Sequence, residues 1–478
     1  MAAIRHQIKQ LEEEITNLEA KHNALTTTRN ASHDPFIHKF PPEIGSHIFR
    51  LSLPKAITEY QVPEKHGRWS AVTAQWSAPL KLGSVCRSWR QIDPSMTDAM
   101  AEALPGLLRE WLDRSGALPL AIYVFQESDP PFHASINTST VALEIATGLV
   151  IDILNVHSGR WRNLYLTAGA NICRRIFSST KPERLVSLEL SALSRDPIPM
   201  ESELTPTHVK LNNFPWTSIN VRWDNITHAT LSNHVTIAEG LGLLRRAHVL
   251  EYYCISIYEP DNFEVIEPIL HPRLRSLILS TSNLKKILDA IKLPSLEEWS
   301  HNGQLPVAAM LSFLKRSGCR IKVFNLDNIE TPDEGLHNLL QEIPSLERIR
   351  LSFRSAFEAQ VVMDDLLTQI FYSLPDSDNI SGGDRAHDHE SFLPHLQLIE
   401  CRAKNFSAPF SWSYTPELYR DGHRRSLTLK TLARHSDMTD ETALELLQLA
   451  DEGADIQIRD MTMGGDFLEN FRMDVKEA

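Results

Sequence analysis

The residues with the most overt chemistry lie in a polar stretch, His387-Asp388-His389-Glu390. Imidazole and carboxylate groups are metal ligands, but a zinc site needs three or four that converge, and adjacent residues on one extended loop supply two. The stretch therefore reads as a solvated loop tip. Gly240-Leu241-Gly242 lacks the third glycine of a dinucleotide-binding turn, and no GxSxG, HExxH or P-loop pattern occurs. The five cysteines, Cys86, Cys173, Cys254, Cys319 and Cys401, are at least 65 residues apart and form no CxxC pair. Such spacing predicts reduced thiols and no metal site. Arginine pairs at 174–175, 245–246 and 424–425 are too dispersed for a nucleic-acid face and fall near predicted helix ends, where they complement the dipole. The expectation is a protein without catalytic residues, metal or cofactor, and without a nucleic-acid partner.

What must position such residues is a chain of 478, with 42% hydrophobic and 23% charged residues, which suits a protein that folds in water. The N-terminus lacks an apolar signal core and no apolar run reaches a spanning length, so no membrane association and a cytoplasmic or nuclear location are expected. The net charge is -13, of which residues 435–478 carry -9 through 12 acidic and 3 basic residues. In that stretch Leu446, Leu449, Ile456 and Ile458 recur like a folded face, so it reads as an acidic cap.

Ile4, Ile8, Leu11, Ile15, Leu18 and Leu25 follow heptad spacing, interrupted at His22. A coiled-coil-like helix over 1–30 is expected, either dimerising through residues 4–25 or packing on its own domain. Further on, the triplet apolar-x-x-apolar-x-apolar recurs from Trp161-Leu164-Leu166 to Leu396-Ile399-Cys401. Its first positions differ by 24, 41, 24, 24, 22, 25, 25 and 50. Helical segments such as 307–316 and 334–343 lie between triplets, and one member, at Leu296-Trp299, has polar His301 third. Intervals of 20–29 are those of leucine-rich repeats. The interval of 41 hides either a further unit around Val209–Phe214 or an insertion, and the asparagine ladder of regular repeats is absent.

Residues 40–92 carry a family resemblance. Phe40-Pro41-Pro42-Glu43-Ile44 opens a helix with Ile48 on the face of Ile44, and Leu82-Gly83-Ser84-Val85-Cys86-Arg87-Ser88-Trp89-Arg90 resumes one after a proline-bearing insertion at 54–79. The two halves resemble the F-box, whose consensus opens Leu-Pro-x-Glu-Ile and closes Val-Cys-x-x-Trp. Phe40 replaces the family's leucine, and Gly45 stands at a position commonly bulky and apolar. With the long insertion and phrases such as 111–120, 157–164 and 450–458, the chain is similar to the large F-box family of basidiomycete fungi.

That resemblance implies an α/β protein in three parts: the coiled-coil-like helix (1–30), a small all-α F-box (36–95), and an irregular leucine-rich-repeat-like solenoid (100–478). It implies docking of Phe40, Pro41, Glu43, Ile44, Ile48, Val85, Cys86, Trp89 and Arg90 on a Skp-type adaptor, and through it on a cullin-RING ubiquitin ligase. The repeats would bind an unknown protein substrate, and the protein itself would catalyse nothing. A second expectation is a scaffold outside any ligase, dimerised through its N-terminal helix.

Overall fold

In the computed structural model two compact units divide the chain at residue 100. The structure describes Glu14, Ile15, Leu18 and Lys21 of the first. Of the second it describes 105–477 apart from 107, 111, 114, 126–138, 169, 179–180, 193–202, 215, 258–267, 330–334, 374–391, 404–414, 420–426, 434–437 and 461–464. The four residues of the first unit are helical and exposed. The other seam residues and the whole expected F-box lie outside the described residues.

Each triplet becomes a strand, because side chains alternate across a pleat and a period of two puts both inner apolar residues on one face. The strands are β1 (Leu120–Phe125), β2 (Trp161–Ala168), β3 (Ser187–Ala192), β4 (His208–Asn212), β5 (His228–Val235), β6 (Tyr252–Ile257), β7 (Ser276–Ser280), β8 (Glu298–Asn302), β9 (Val323–Ile329), β10 (Arg348–Phe353), β11 (Leu398–Ala403), β12 (Thr428–Ala433) and β13 (Ile456–Asp460). All thirteen join one sheet in sequence order, every pair parallel. Thus β4 is a further unit within the interval of 41. Two two-residue strands, Ile269–Leu270 and Ile291–Lys292, pair separately beside it.

Parallel neighbours require a crossover. Helices α1 (Ser139–Val156), α2 (Ala170–Phe177), α3 (Ile237–Arg246), α4 (Leu284–Ala290), α5 (Val307–Ser317), α6 (Leu336–Gln341), α7 (Ala356–Tyr372), α8 (Thr415–Tyr419) and α9 (Asp440–Asp451) fill most of them, and α10 (Phe467–Glu477) follows β13. Thr236 and Glu239 form a reciprocal capping box at the start of α3. Gly318 ends α5 at φ 63°, a left-handed turn that glycine takes without a Cβ penalty. Crossovers between adjacent strands of a parallel sheet are right-handed almost without exception. A strand order that never reverses therefore puts the helices on one side.

That side is the core. In register, Leu188, Val209, Ala229, Tyr253, Leu277, Trp299, Phe324 and Ile349 form one inward column, and Leu190, Leu211, Leu231, Ile255, Leu279, His301, Leu326 and Leu351 the next. All are at most 3% exposed. A single apolar cluster runs from Leu112 to Phe471. At the strand entrances backbone groups pair from one unit to the next: the amide of Glu297 donates to Arg275, Lys322 to Glu297, Glu347 to Lys322 and Gln397 to Glu347.

The expectation of an irregular leucine-rich-repeat-like solenoid is corrected by this sheet. The described second unit is one thirteen-stranded parallel sheet with interleaved helices, and no all-α module stands apart from it among the described residues. The reason is that an apolar triplet fixes which strand positions face the core but leaves the crossover unspecified. Here the crossovers are not a repeated unit. They include the 17-residue α7, the 7-residue α4, and a stretch between β4 and β5 with two 3-10 turns, Trp216–Ser218 and Trp223–Asn225.

Candidate interaction surface

A wholly parallel sheet is ordinarily covered on both faces. Among the described residues this one is covered on one. Most strand residues between the core positions are half-buried or exposed, giving the alternation seen in β4 and β10, while Ser276 on β7 and Ser300 on β8 are buried. The ladder registers align them into an outward column: Tyr165, Glu189, Lys210, Thr230, Cys254, Ile278, Ser300, Asn325, Arg350, Glu400, Lys430 and Gln457. Twelve strand spacings of about 4.8 Å and a strand length near 17 Å give a face of roughly 1,000 Å². That matches the area one partner contributes to a stable protein interface, about 800 Å².

The face is chemically graded. At its N-terminal end Tyr123 stacks on Tyr165 at 4.4 Å between ring centroids, and Lys210 pairs with Glu189 at 2.8 Å. Burial, then the neighbouring Tyr165, pushes the Tyr123 hydroxyl up to about 12. In the next strands the rings of His208, His228 and Tyr252 stack at 4.2 and 5.7 Å. Thr207 and Thr227 hydroxyls meet the Nδ1 atoms of His208 and His228 at 2.8 and 2.9 Å, which orients both rings. Burial and then the adjacent His228 hold His208 below its ordinary value, so that ring is neutral near pH 7. The centre carries two carboxylates, Glu298, which accepts from Ser276 at 2.8 Å, and Asp327 on β9, and Asn325 donates to Ser300 at 2.9 Å. The last four strands turn basic, with Arg348, Arg350, Arg402, Lys430 and Arg459 around Glu400.

Reactive groups are scarce on this face. The Cys254 thiol is pushed up, chiefly by burial, and Cys173 and Cys319 rise to about 11 for the same reason, so none is a ready thiolate. No group of three or more metal-ligating side chains converges among the described residues. A gap under α3 and α4, lined by Gly240, Leu244, Tyr253, Ile255, Leu279 and Ile287, is wholly apolar and has room for about one water. It takes no cofactor.

The sequence candidates are distributed otherwise. All nine residues expected to dock the adaptor, Phe40, Pro41, Glu43, Ile44, Ile48, Val85, Cys86, Trp89 and Arg90, lie outside the described residues, as do His387-Asp388-His389-Glu390 and Arg424-Arg425. Gly240 sits inside α3, where Tyr253 Oη donates to its carbonyl at 3.0 Å and a Cβ would meet Ile255 Cδ1 at 2.3 Å. Its role is close packing. Arg174-Arg175 and Arg245-Arg246 occupy last helical turns, with Arg175 bridged to Asp152 at 2.6 Å. The open face itself escaped the sequence reading, although its signal was present: its residues are the middle x between the second and third apolar positions. No helix among the described residues is long and apolar enough to cross a membrane. Neither the protein-family models nor the curated proteins contain a match to this chain.

Proposed function

We propose that this chain is the substrate-receptor subunit of a cullin-RING ubiquitin ligase, docking on a Skp-type adaptor through residues 40–90 and capturing a protein substrate on the open face of its sheet. The observation that supports capture is the one-sidedness of the parallel sheet, which leaves an outward ladder of mixed polar and aromatic side chains over a rigid core. Adaptor docking rests on the resemblance of Phe40-Pro41-Pro42-Glu43-Ile44 and Val85-Cys86-Arg87-Ser88-Trp89 to the F-box. The contribution to ubiquitin transfer is proximity. Tethering turns encounter of substrate and conjugating enzyme into an intramolecular event, with effective concentrations of about millimolar for a short linkage.

Co-purification with a Skp adaptor tests the proposal. An Ile44→Asp, Trp89→Asp double variant should lose adaptor binding by about a hundredfold, as removal of two apolar anchors does, while keeping its far-UV circular dichroism. Retained binding by the folded variant overturns it. The second reading, a scaffold dimerised through residues 4–25, is favoured by one observation: Ile15 and Leu18 are helical and 55% and 60% exposed. Under that reading, deleting residues 1–30 makes a dimer monomeric by light scattering and no adaptor co-purifies.

A further inference from the structure

The open face carries a charge pattern opposite to that of the chain. The whole protein is -13, yet the outward positions of β10 to β13 hold five cations, Arg348, Arg350, Arg402, Lys430 and Arg459, around one central carboxylate. Arg350, Glu400 and Lys430 are register partners on successive strands, and Arg402 faces Ser352 on the neighbouring one. Glu400, 17% exposed, is held by Arg402 on its own strand and lies 3.9 Å from Arg350 Nε. Arg350 Nε is enclosed and has no hydrogen-bond partner among the described residues. Arg348 and Arg459 are exposed and form no ion pair among them. At the lower edge Asp455 accepts from Thr428 at 2.5 Å and Gln457 at 2.9 Å, and these bonds, with Lys430 beyond them, hold its carboxyl below the usual range. Asp327 flanks the patch on β9.

We infer that this basic end of the sheet binds an acidic, extended peptide segment, one rich in Asp and Glu, of the captured protein. The inference rests on the reading of the open face as the capture surface and is independent of adaptor docking. Glu400 already shows a carboxylate held on this surface: it pairs with the Arg402 guanidinium, and Arg350 adds a second positive charge at 3.9 Å. Spacing agrees as well. Alternate side chains of an extended peptide repeat every ~6.8 Å, which is the separation of Arg348 and Arg350 along β10, and two strand spacings of about 4.8 Å separate Arg350 from Lys430. A polynucleotide fits less well. No outward aromatic ring stands on β10 to β13 to stack a base, and Leu398 interrupts the cationic surface.

Fluorescence anisotropy with the full chain and a labelled (Asp-Ser)n peptide of about twelve residues tests it, since that repeat places its carboxylates on one side of an extended strand. The peptide should bind more than about tenfold tighter than its (Asn-Ser)n counterpart, and its affinity should fall as salt is raised from about 50 to 200 mM. Arg348→Ser, Lys430→Ser and Arg459→Ser together leave the Arg350–Glu400–Arg402 cluster intact and should weaken binding by about tenfold. Lys210→Ser, at the far end of the same face, should change it less than about twofold. If the triple variant loses the native circular-dichroism spectrum, the single Arg348→Ser and Arg459→Ser variants are read instead, and binding unchanged in both overturns the inference. So do equal binding of the two peptides, unchanged binding by a folded triple variant, or tighter binding of oligothymidine of the same length than of the acidic peptide. Because no adaptor is present, failure here leaves ligase docking standing, and failure of docking leaves this result untouched.

Discussion

Acidification should weaken this fold well before its carboxylates titrate, and two core histidines set the magnitude. His271 and His301 are each 1% exposed. His271 Nε2 lies 2.9 Å from the Ala247 carbonyl, whereas its Nδ1 has no hydrogen-bond partner among the described residues. The neutral ring with its proton on Nε2 satisfies that site, and a second proton would bury an N–H with no acceptor. His301 faces the Leu279 and Gln304 carbonyls at 3.2 and 2.9 Å. Burial, the larger effect in both, holds them below the ordinary 6.5. Above pH 6.5 folded and unfolded chains are both neutral at these rings and the groups contribute nothing. Below it the unfolded chain binds protons that the folded chain refuses, so stability falls with pH until the folded pKa is reached. The unfolded ring's ordinary value of 6.5 sets the ceiling on the loss between pH 6.5 and 5.5, about 1 kcal/mol per histidine, or about 2 kcal/mol for the pair. With a urea slope near 3 kcal/mol/M this is a midpoint lower by up to roughly 0.7 M. Asp152 and Asp455, held below the ordinary 3.8 by Arg175 and by Thr428 respectively, contribute stability above that value and lose it only below the window. The assay is urea unfolding at pH 7.5, 6.5 and 5.5 for the parent and for His271→Gln, His301→Leu. Glutamine keeps a donor for Ala247, and leucine matches the register neighbours Leu279 and Leu326. The double variant should lose most of the pH dependence, with His208 supplying the remainder in the same direction. A parent midpoint that is flat or rises on acidification, or a double variant as steep as the parent, refutes the reasoning.

Two further outcomes follow from helix α3. Gly240→Ala would gain about 1 kcal/mol of helix propensity on an open helix, but its Cβ meets Ile255 Cδ1 at 2.3 Å beside a gap smaller than a methyl group, so the variant should melt lower. Adding Ile255→Val removes that atom, and a double-mutant cycle should show a favourable coupling above about 0.5 kcal/mol; additivity refutes the clash. Thr236→Ala deletes the side chain that accepts from Glu239 N at 3.2 Å and should cost about 1 kcal/mol in thermal or urea unfolding, with no change if the cap is idle.

The inward half of the sheet was legible because burial dictates residue type. Leu188, Leu277, Phe324 and Ile349 stood at the predicted spacing, and all proved at most 1% exposed. Where the triplet lost a member the reading lost the strand. At β4 the first position is Pro206, which breaks the apolar pattern although it too is buried. At β12 the buried run is Leu427, Leu429 and Thr431, a strict alternation without the longer first step. At the edge strand β1 the core position opposite Leu166 is Val124, packed only in part. Crossovers were illegible for a different reason. Helices from five residues to eighteen all return the chain to the next strand, so the length of a crossover is left open by the strands it joins.

That division decides how the open face should be read. An inward position has one task, filling a column against its register neighbours, so departures from apolar there are few; neutral His301, between the Leu279 and Gln304 carbonyls, has one N–H to give. An outward position in a parallel ladder is free of that constraint, because its backbone is already paired on both sides and its side chain meets water. Sheet stability alone would favour β-branched and aromatic residues there. Asn325, Arg350, Glu400, Lys430 and Gln457 follow no such preference, and four of them lie on the strands where the cations collect. Their identities are therefore explained less by folding than by what the face meets, and neutralising Arg348, Lys430 and Arg459 should change peptide binding much more than the unfolding midpoint.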